Sequence, residues 1–255
     1  MTCRDQFGVP LTVNDSDALR HYDDAVAKLL TFSGDPVAEV DAATAGDPAL
    51  VMGHVLKGLL CVLGTEKSLL PDARAALEAG MQVAGDATER EARHLAALEC
   101  WIDGRLHDAC STWETILVDQ PDDALAMLAA HQGDFFLGQS TELRDRVARR
   151  LGSIDRGSRL EVYYLGMHAF GLEETGDYAA AELAGRLAVE RDRRSTWRGR
   201  GESHRPERCG RSVRRRRQAL FACAATCASR SSRLRILPTL VFGSSSRNSM
   251  NFGFL

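Results

Sequence analysis

Along most of the chain, apolar side chains recur every three to four residues and polar ones fill the positions between, which is the spacing of an amphipathic helix. In residues 105–120 ("RLHDACSTWETILVDQ") the apolar set is Leu106, Ala109, Cys110, Trp113, Ile116 and Leu117. The same period predicts helices over residues 16–32, 37–46, 49–64, 72–85, 89–104, 122–138, 140–154, 158–176 and 177–192. The breaks carry helix-stop chemistry: Gly34-Asp35-Pro36, Gly46-Asp47-Pro48, Gly64, Pro71 and Pro121. Ser16 stands where an N-cap would sit, and Thr88 with Glu91 has capping-box spacing. No stretch alternates as a strand does. Breaks this short predict antiparallel packing of neighbouring helices.

The helices also repeat as pairs. Gly104, Gly138 and Gly176 each close one helix just before the next, 34 and 38 residues apart, and Gly64 lies 40 residues before Gly104. After Gly104 come Ala109, Trp113, Ile116 and Pro121, at offsets of 5, 9, 12 and 17. A pitch near 34 with small, aromatic, apolar and proline residues at these offsets marks a helix–turn–helix repeat of the tetratricopeptide type. The second helix needs a small residue where it approaches the first, and the aromatic fills the space beyond. After Gly176 the pattern recurs with Ala181 and Ala188, but Gly185 replaces the aromatic; the unit after Gly138 is degenerate.

Three stretches, "DPALVMGHVLKGLLCVLG", "LHDACSTWETILVDQPDDALAMLAAHQGDFFLGQSTELRDRVAR" and "YYLGMHAFGLEETGDYAAAELAGRLAVERD", resemble the tetratricopeptide repeat protein 38 family, over about residues 12–197. The resemblance implies an all-α, right-handed solenoid of antiparallel helix pairs. It implies no reaction and no cofactor. The expected organisation is an N-terminal extension over 1–15, the repeat domain over 16–192 and an irregular Arg-rich tail over 193–255.

Charge divides at the same boundary. Residues 1–190 carry 16 basic and 32 acidic side chains, whereas residues 191–255 carry 16 arginines, no lysine and three acids, leaving the net charge of −3. Near residue 198 the helical period, the lysines and the family resemblance are lost together. Text of this kind arises when a GC-rich gene is read out of frame, so a frameshift product is the leading expectation and a truncated family member follows from it. The rival reading is a basic arm: Arg211, Arg214, Arg215, Arg216 and Arg217 could hold phosphate backbones by charge alone, though interleaved aromatics for base stacking are missing. Nucleic acid is therefore a disfavoured partner. Cys209, Cys223 and Cys227 are too loosely spaced for a zinc site.

Forty-four per cent hydrophobic residues support a buried core. The N-terminus lacks the basic and apolar regions of a secretory signal. No apolar run reaches the roughly 20 residues of a membrane span. Seven scattered cysteines fit free thiols in a reducing compartment, so a cytoplasmic location is expected. His54, His94, His131 and His168 fall one per unit, too far apart in a stacked array to share a metal. His131 and His168 align with packing positions, and His54 and His94 with groove-facing ones. The acid pairs Asp122-Asp123 and Glu173-Glu174 are expected to be solvated. No phosphate loop or nucleophile elbow is present.

The expected function is a protein-interaction scaffold whose concave face takes an unidentified protein or peptide. Counting back from the three glycines, that face would present His94, Leu98, Trp101, Gln132, Phe135, Phe136, Tyr163, Phe170 and Glu173, a set rich in the aromatics that dominate interface energetics. Tetratricopeptide domains that clamp peptide C-termini use Lys and Arg in this groove, and these are nearly absent here. The alternatives are an enzyme whose groove is completed by repeats this chain lacks, and nonspecific nucleic-acid binding by the tail. An array cut before its terminal cap would expose apolar surface at Leu172, Leu183 and Leu187 and self-associate.

Overall fold

The computed structural model describes residues 2–197, with side chains described up to residue 192. Among these residues the fold is all-α apart from one short hairpin. Strands β1 (Thr2–Arg4) and β2 (Pro10–Thr12) pair antiparallel, and the helices α1 (Ser16–Thr31), α2 (Pro36–Gly46), α3 (Val51–Leu63), α4 (Leu70–Gln82), α5 (Glu89–Ile102), α6 (Leu106–Asp119), α7 (Ala124–Phe136), α8 (Ser140–Leu151), α9 (Arg159–Glu174) and α10 (Tyr178–Trp197) follow. Each helix packs against the next, and α3 also packs against α5.

Local chemistry explains most boundaries. Thr88 accepts from Glu91 N while the Glu91 carboxylate accepts from Thr88 N, a complete capping box on α5. Asp15, not Ser16, caps α1 by accepting from Asp17 N and Ala18 N, because a carboxylate one residue earlier reaches two of the orphan amides at the helix start. Gly104, Gly138 and Gly176 have φ of +78°, +69° and +85°. Each closes its helix with the same pair of bonds: Gly104 N to Trp101 O and Arg105 N to Cys100 O, Gly138 N to Phe135 O and Gln139 N to Asp134 O, Gly176 N to Glu173 O and Asp177 N to Leu172 O. This is the Schellman closure, which needs a left-handed residue that glycine adopts without strain. Gly64 does not belong to the set. It is right-handed, with φ −64°, and the left-handed position falls on Thr65 at φ 56°.

The helices after these turns present equivalent positions to their partners. Ala109 and Trp113 on α6 and Leu143 and Val147 on α8 are buried, and a β-carbon on Gly185 of α10 would stand 3.8 Å from the Ala169 methyl on α9. The unit after Gly138, which looks degenerate in sequence, therefore keeps buried aliphatic residues at the same offsets. Glycines elsewhere permit close crossings: a β-carbon on Gly171 would stand 2.6 Å from the Arg144 backbone, and one on Gly58 would stand 2.6 Å from Leu98.

The segment before α1 packs into the helical body, since Leu11 and Val13 belong to the same hydrophobic core as Tyr22, Leu56 and Leu98. Helix α10 runs to Trp197, past the expected limit at residue 192. No described helix is long and apolar enough to cross a membrane.

Candidate functional site

The residues expected on one face divide into two groups with different environments. His94 and Leu98 are fully buried, which corrects their placement on an open groove. Leu98 fills the notch left by Gly58 on α3. His94 lies in a closed polar chain: Trp113 Nε1 donates to His94 Nδ1 at 3.2 Å, and His94 Nε2 meets the Asp123 carboxylate at 2.9 Å. A ring nitrogen that accepts from an indole carries no proton, so Nε2 carries it and donates to Asp123. Burial pushes the His94 imidazole below its ordinary value, with Asp123 pulling the other way. Both ring nitrogens are spent inside the core, which leaves His94 unavailable as a base or a ligand.

Asp123 is the centre of this chain. It is 1% exposed, accepts from Arg90 Nε at 2.5 Å, and caps α7 by accepting from Ala126 N at 2.9 Å. The neighbouring Arg90 and His94 hold its carboxyl well below the usual carboxylate range, against the penalty of burial. The expectation that Asp123 is a solvated helix-end acid is thus overturned. A helix N-terminus, a guanidinium and an imidazole compensate its charge at once. Arg90 also donates to the carbonyl of Pro10 on β2, at 3.1 Å. A second buried pair joins α8 to α7, where Arg146 forks onto Asp134 at 2.9 and 3.2 Å. Arg146 and Arg149 also both donate to Glu114 on α6. Burial pushes Asp134 up to about 7, and the bidentate guanidinium opposes that rise and favours the ionised form.

The other group is half-buried and contiguous. Trp101 on α5 meets Phe136 on α7 edge-on at 6.0 Å, and meets Trp113 on α6 in the same way at 5.6 Å. Phe136 lies 5.8 Å from Phe135, which lies 5.3 Å from Phe170 on α9. His131 closes the row at 5.9 Å from Phe170. Trp101, Phe135, Phe136 and Phe170 thus form one aromatic seam across the C-terminal halves of three alternate helices, with Gln132 and Glu173 half-buried on the same helices. Tyr163 is not in this seam. It sits toward the other end of α9, where its ring meets Phe7 of the hairpin loop edge-on at 6.2 Å.

Two other histidines have local roles. His131 is 2% exposed, with Nε2 against the Met167 carbonyl at 3.2 Å and Nδ1 lacking a hydrogen-bond partner. Burial pushes it down to about 4. His54 Nε2 meets the Pro48 carbonyl at 2.8 Å, so it completes a turn. Among the described residues, no three His, Cys, Asp or Glu side chains gather as a metal site. Leu172 on α9 is buried, whereas Leu183 and Leu187 on α10 are 70% and 37% exposed, so Leu172 contributes nothing to an apolar surface there. Arg211, Arg214, Arg215, Arg216 and Arg217, and the cysteines considered for zinc, lie outside the described residues.

Arg90, Asp123 and Trp113 were not among the residues picked out for a site. The signal available was the helix-capping position of Asp123; its burial depends on partners 29 and 33 residues away. No protein-family model matches the chain, and no solved structure matches it significantly.

Proposed function

We propose that the chain is a tetratricopeptide-like helical-repeat scaffold that binds a protein or peptide along the aromatic seam of Trp101, Phe135, Phe136 and Phe170. The seam is the observation that carries this reading. Half-buried aromatics in a continuous row supply large contact area at small entropic cost, which suits them to anchor a partner. The recurrent glycine closures at Gly104, Gly138 and Gly176 support a repeat architecture. Free thiols at Cys3, Cys61, Cys100 and Cys110 fit a reducing, cytoplasmic setting. An enzymatic reading has less support, since the buried His94–Asp123 pair is saturated by Trp113, Arg90 and a helix cap.

The test is selection of peptides from a displayed random library on the full chain, with counter-selection on a variant carrying Phe135→Ser and Phe170→Ser. Binders specific to the unmodified chain that shift its tryptophan fluorescence are expected. If no binder emerges, or if all bind the variant equally, the seam is only inter-helix packing.

A further inference from the structure

The aromatic seam has one electrical sign along its length. It crosses the C-terminal halves of α5, α7 and α9, so each of these helices brings its carbonyl end to that side. Aligned peptide dipoles place a partial negative charge at such an end. On α1 and α8 a basic side chain in the last turn answers it, Lys28 in the first case and Arg149 with Arg150 in the second. The last turns of α5, α7 and α9 hold no basic residue. The C-terminal halves of these three helices contain no lysine or arginine at all. Their two histidines, His131 and His168, are both pushed down by burial, so they carry no charge at neutral pH. Arg105, just past α5, is engaged by Asp103 at 3.7 Å and by Asp108 at 3.3 Å.

Side chains add to the same sign. Glu173 and Glu174 stand three and four residues after Phe170, on the same side of α9. The rings themselves are negative above and below their planes. Ring faces, carboxylates and helix ends therefore favour one class of ligand, a cation carried on an apolar body. We infer, on the footing that the seam is the binding surface, that its partner is a basic peptide segment in which arginine alternates with apolar residues. Arginine fits better than lysine, because the planar guanidinium is weakly hydrated and stacks on aromatic rings. The apolar neighbours cover Trp101, Phe135, Phe136 and Phe170, and the guanidinium donors turn toward the two glutamates and the helix-end carbonyls. Acidic segments and nucleic acids are repelled by the same field.

A cation over an aromatic face gains about two-fold in affinity where the site is exposed and about thirty-fold where it is desolvated. A half-buried seam belongs between these limits. Residues 1–190 also carry 16 more acidic than basic side chains, and that excess attracts any cation from a distance. Such attraction is screened over about 8 Å at physiological salt and needs no rings. Contact with the seam and long-range attraction are therefore separable by removing the rings while leaving the charges in place.

The experiment measures fluorescence anisotropy of a fluorescein-labelled Leu-Arg-Leu-Arg-Leu peptide with the full chain, at about 0.15 M salt. Two further peptides replace arginine by citrulline, which keeps the shape and loses the charge, or by glutamate. The arginine peptide is expected to bind at least about five-fold more tightly than the citrulline one, and the glutamate peptide should not bind. The arginine preference should vanish in the Phe135→Ser, Phe170→Ser variant. Equal binding of the arginine and citrulline peptides, both lost in that variant, overturns the basic partner and leaves the seam as a binding surface. An arginine preference that survives in the variant also overturns it, since long-range charge then suffices. If no peptide binds, the basic partner falls, and the library selection alone decides whether the seam binds anything. Should the serine variant not fold, Glu173→Gln with Glu174→Gln gives the same decision: at least about two-fold weaker binding of the arginine peptide with the citrulline peptide unchanged supports the assignment, and equal effects on both refute it.

Discussion

Replacing Asp123 by alanine should be among the most damaging single changes this chain can suffer. The carboxylate performs three tasks at once: it neutralises Arg90, receives the proton of His94 and caps α7 through Ala126. Removing one partner of a buried ion pair costs about 3–5 kcal/mol, because the other charge stays buried without compensation; Arg90 is only 7% exposed. The lost cap costs about 1 kcal/mol. An unsatisfied imidazole N–H costs about 1–3 kcal/mol. These terms share atoms and do not add, so we expect a net loss of about 4–5 kcal/mol, most of the total stability of a domain at the lower end of the usual range of about 5–15 kcal/mol. Urea unfolding followed by far-UV circular dichroism measures it. The informative comparison is Asp123→Asn with and without Arg90→Met. Asparagine keeps the cap oxygen but abandons the charge, and methionine removes the charge left behind. If uncompensated charge is the cause, the double variant recovers at least half of the loss from Asp123→Asn. A double variant as unstable as the two single losses combined would refute that account. The pH dependence gives a second check. A carboxyl held below its unfolded value contributes stability above the unfolded pKa, and that stability is lost only as pH falls through the folded value. The gap between the parent chain and Asp123→Asn should therefore stay flat from about pH 8 to about pH 5.

Three further outcomes follow from individual positions. Thr65 is exposed and left-handed at φ 56°, so Thr65→Gly should raise stability by about 1 kcal/mol, seen as a higher urea midpoint with unchanged slope. Gly171 approaches the Arg144 backbone so closely that the Gly171→Ala methyl must push α9 away from α8; a loss of about 1–3 kcal/mol is expected, and a neutral result in the same assay would show that the two helices slide freely. Burial, with Asp5 and Asp24 nearby, pushes Asp23 up to about 6. A carboxyl raised by folding favours the folded state at low pH, an advantage lost as pH rises through the folded pKa. Asp23→Asn keeps an oxygen for Gln6 N and should stabilise the chain near pH 8 but not near pH 5; a gain independent of pH would point to packing instead.

The sequence carried those features that arise within one or two helical turns. A left-handed glycine and its two closing bonds span six residues, and so the turns at Gly104, Gly138 and Gly176 were readable from spacing alone. The capping box at Thr88 and Glu91 was readable for the same reason. Apolar period located the helices, since a stripe on a 3.6-residue cylinder is a local property. It could not say which neighbour each part of the stripe meets. His94 and Leu98 share an apolar face with Trp101, yet the first two lie inside the body and the third half outside it, because α3, α4 and α6 cover different lengths of α5. The hairpin is not legible in the sequence because two three-residue strands are too short to show alternation, and the second is held by the Glu91 carboxylate, 79 residues from Thr12. Asp123 looked like an ordinary solvated acid for the same reason. Its burial is tolerable only because Arg90 and His94 arrive from another helix, and that pairing exists nowhere along the chain until the helices pack. Local sequence thus set the helices and their turns, and long-range packing set which polar groups are buried, which aromatics stay reachable and what covers the remaining face.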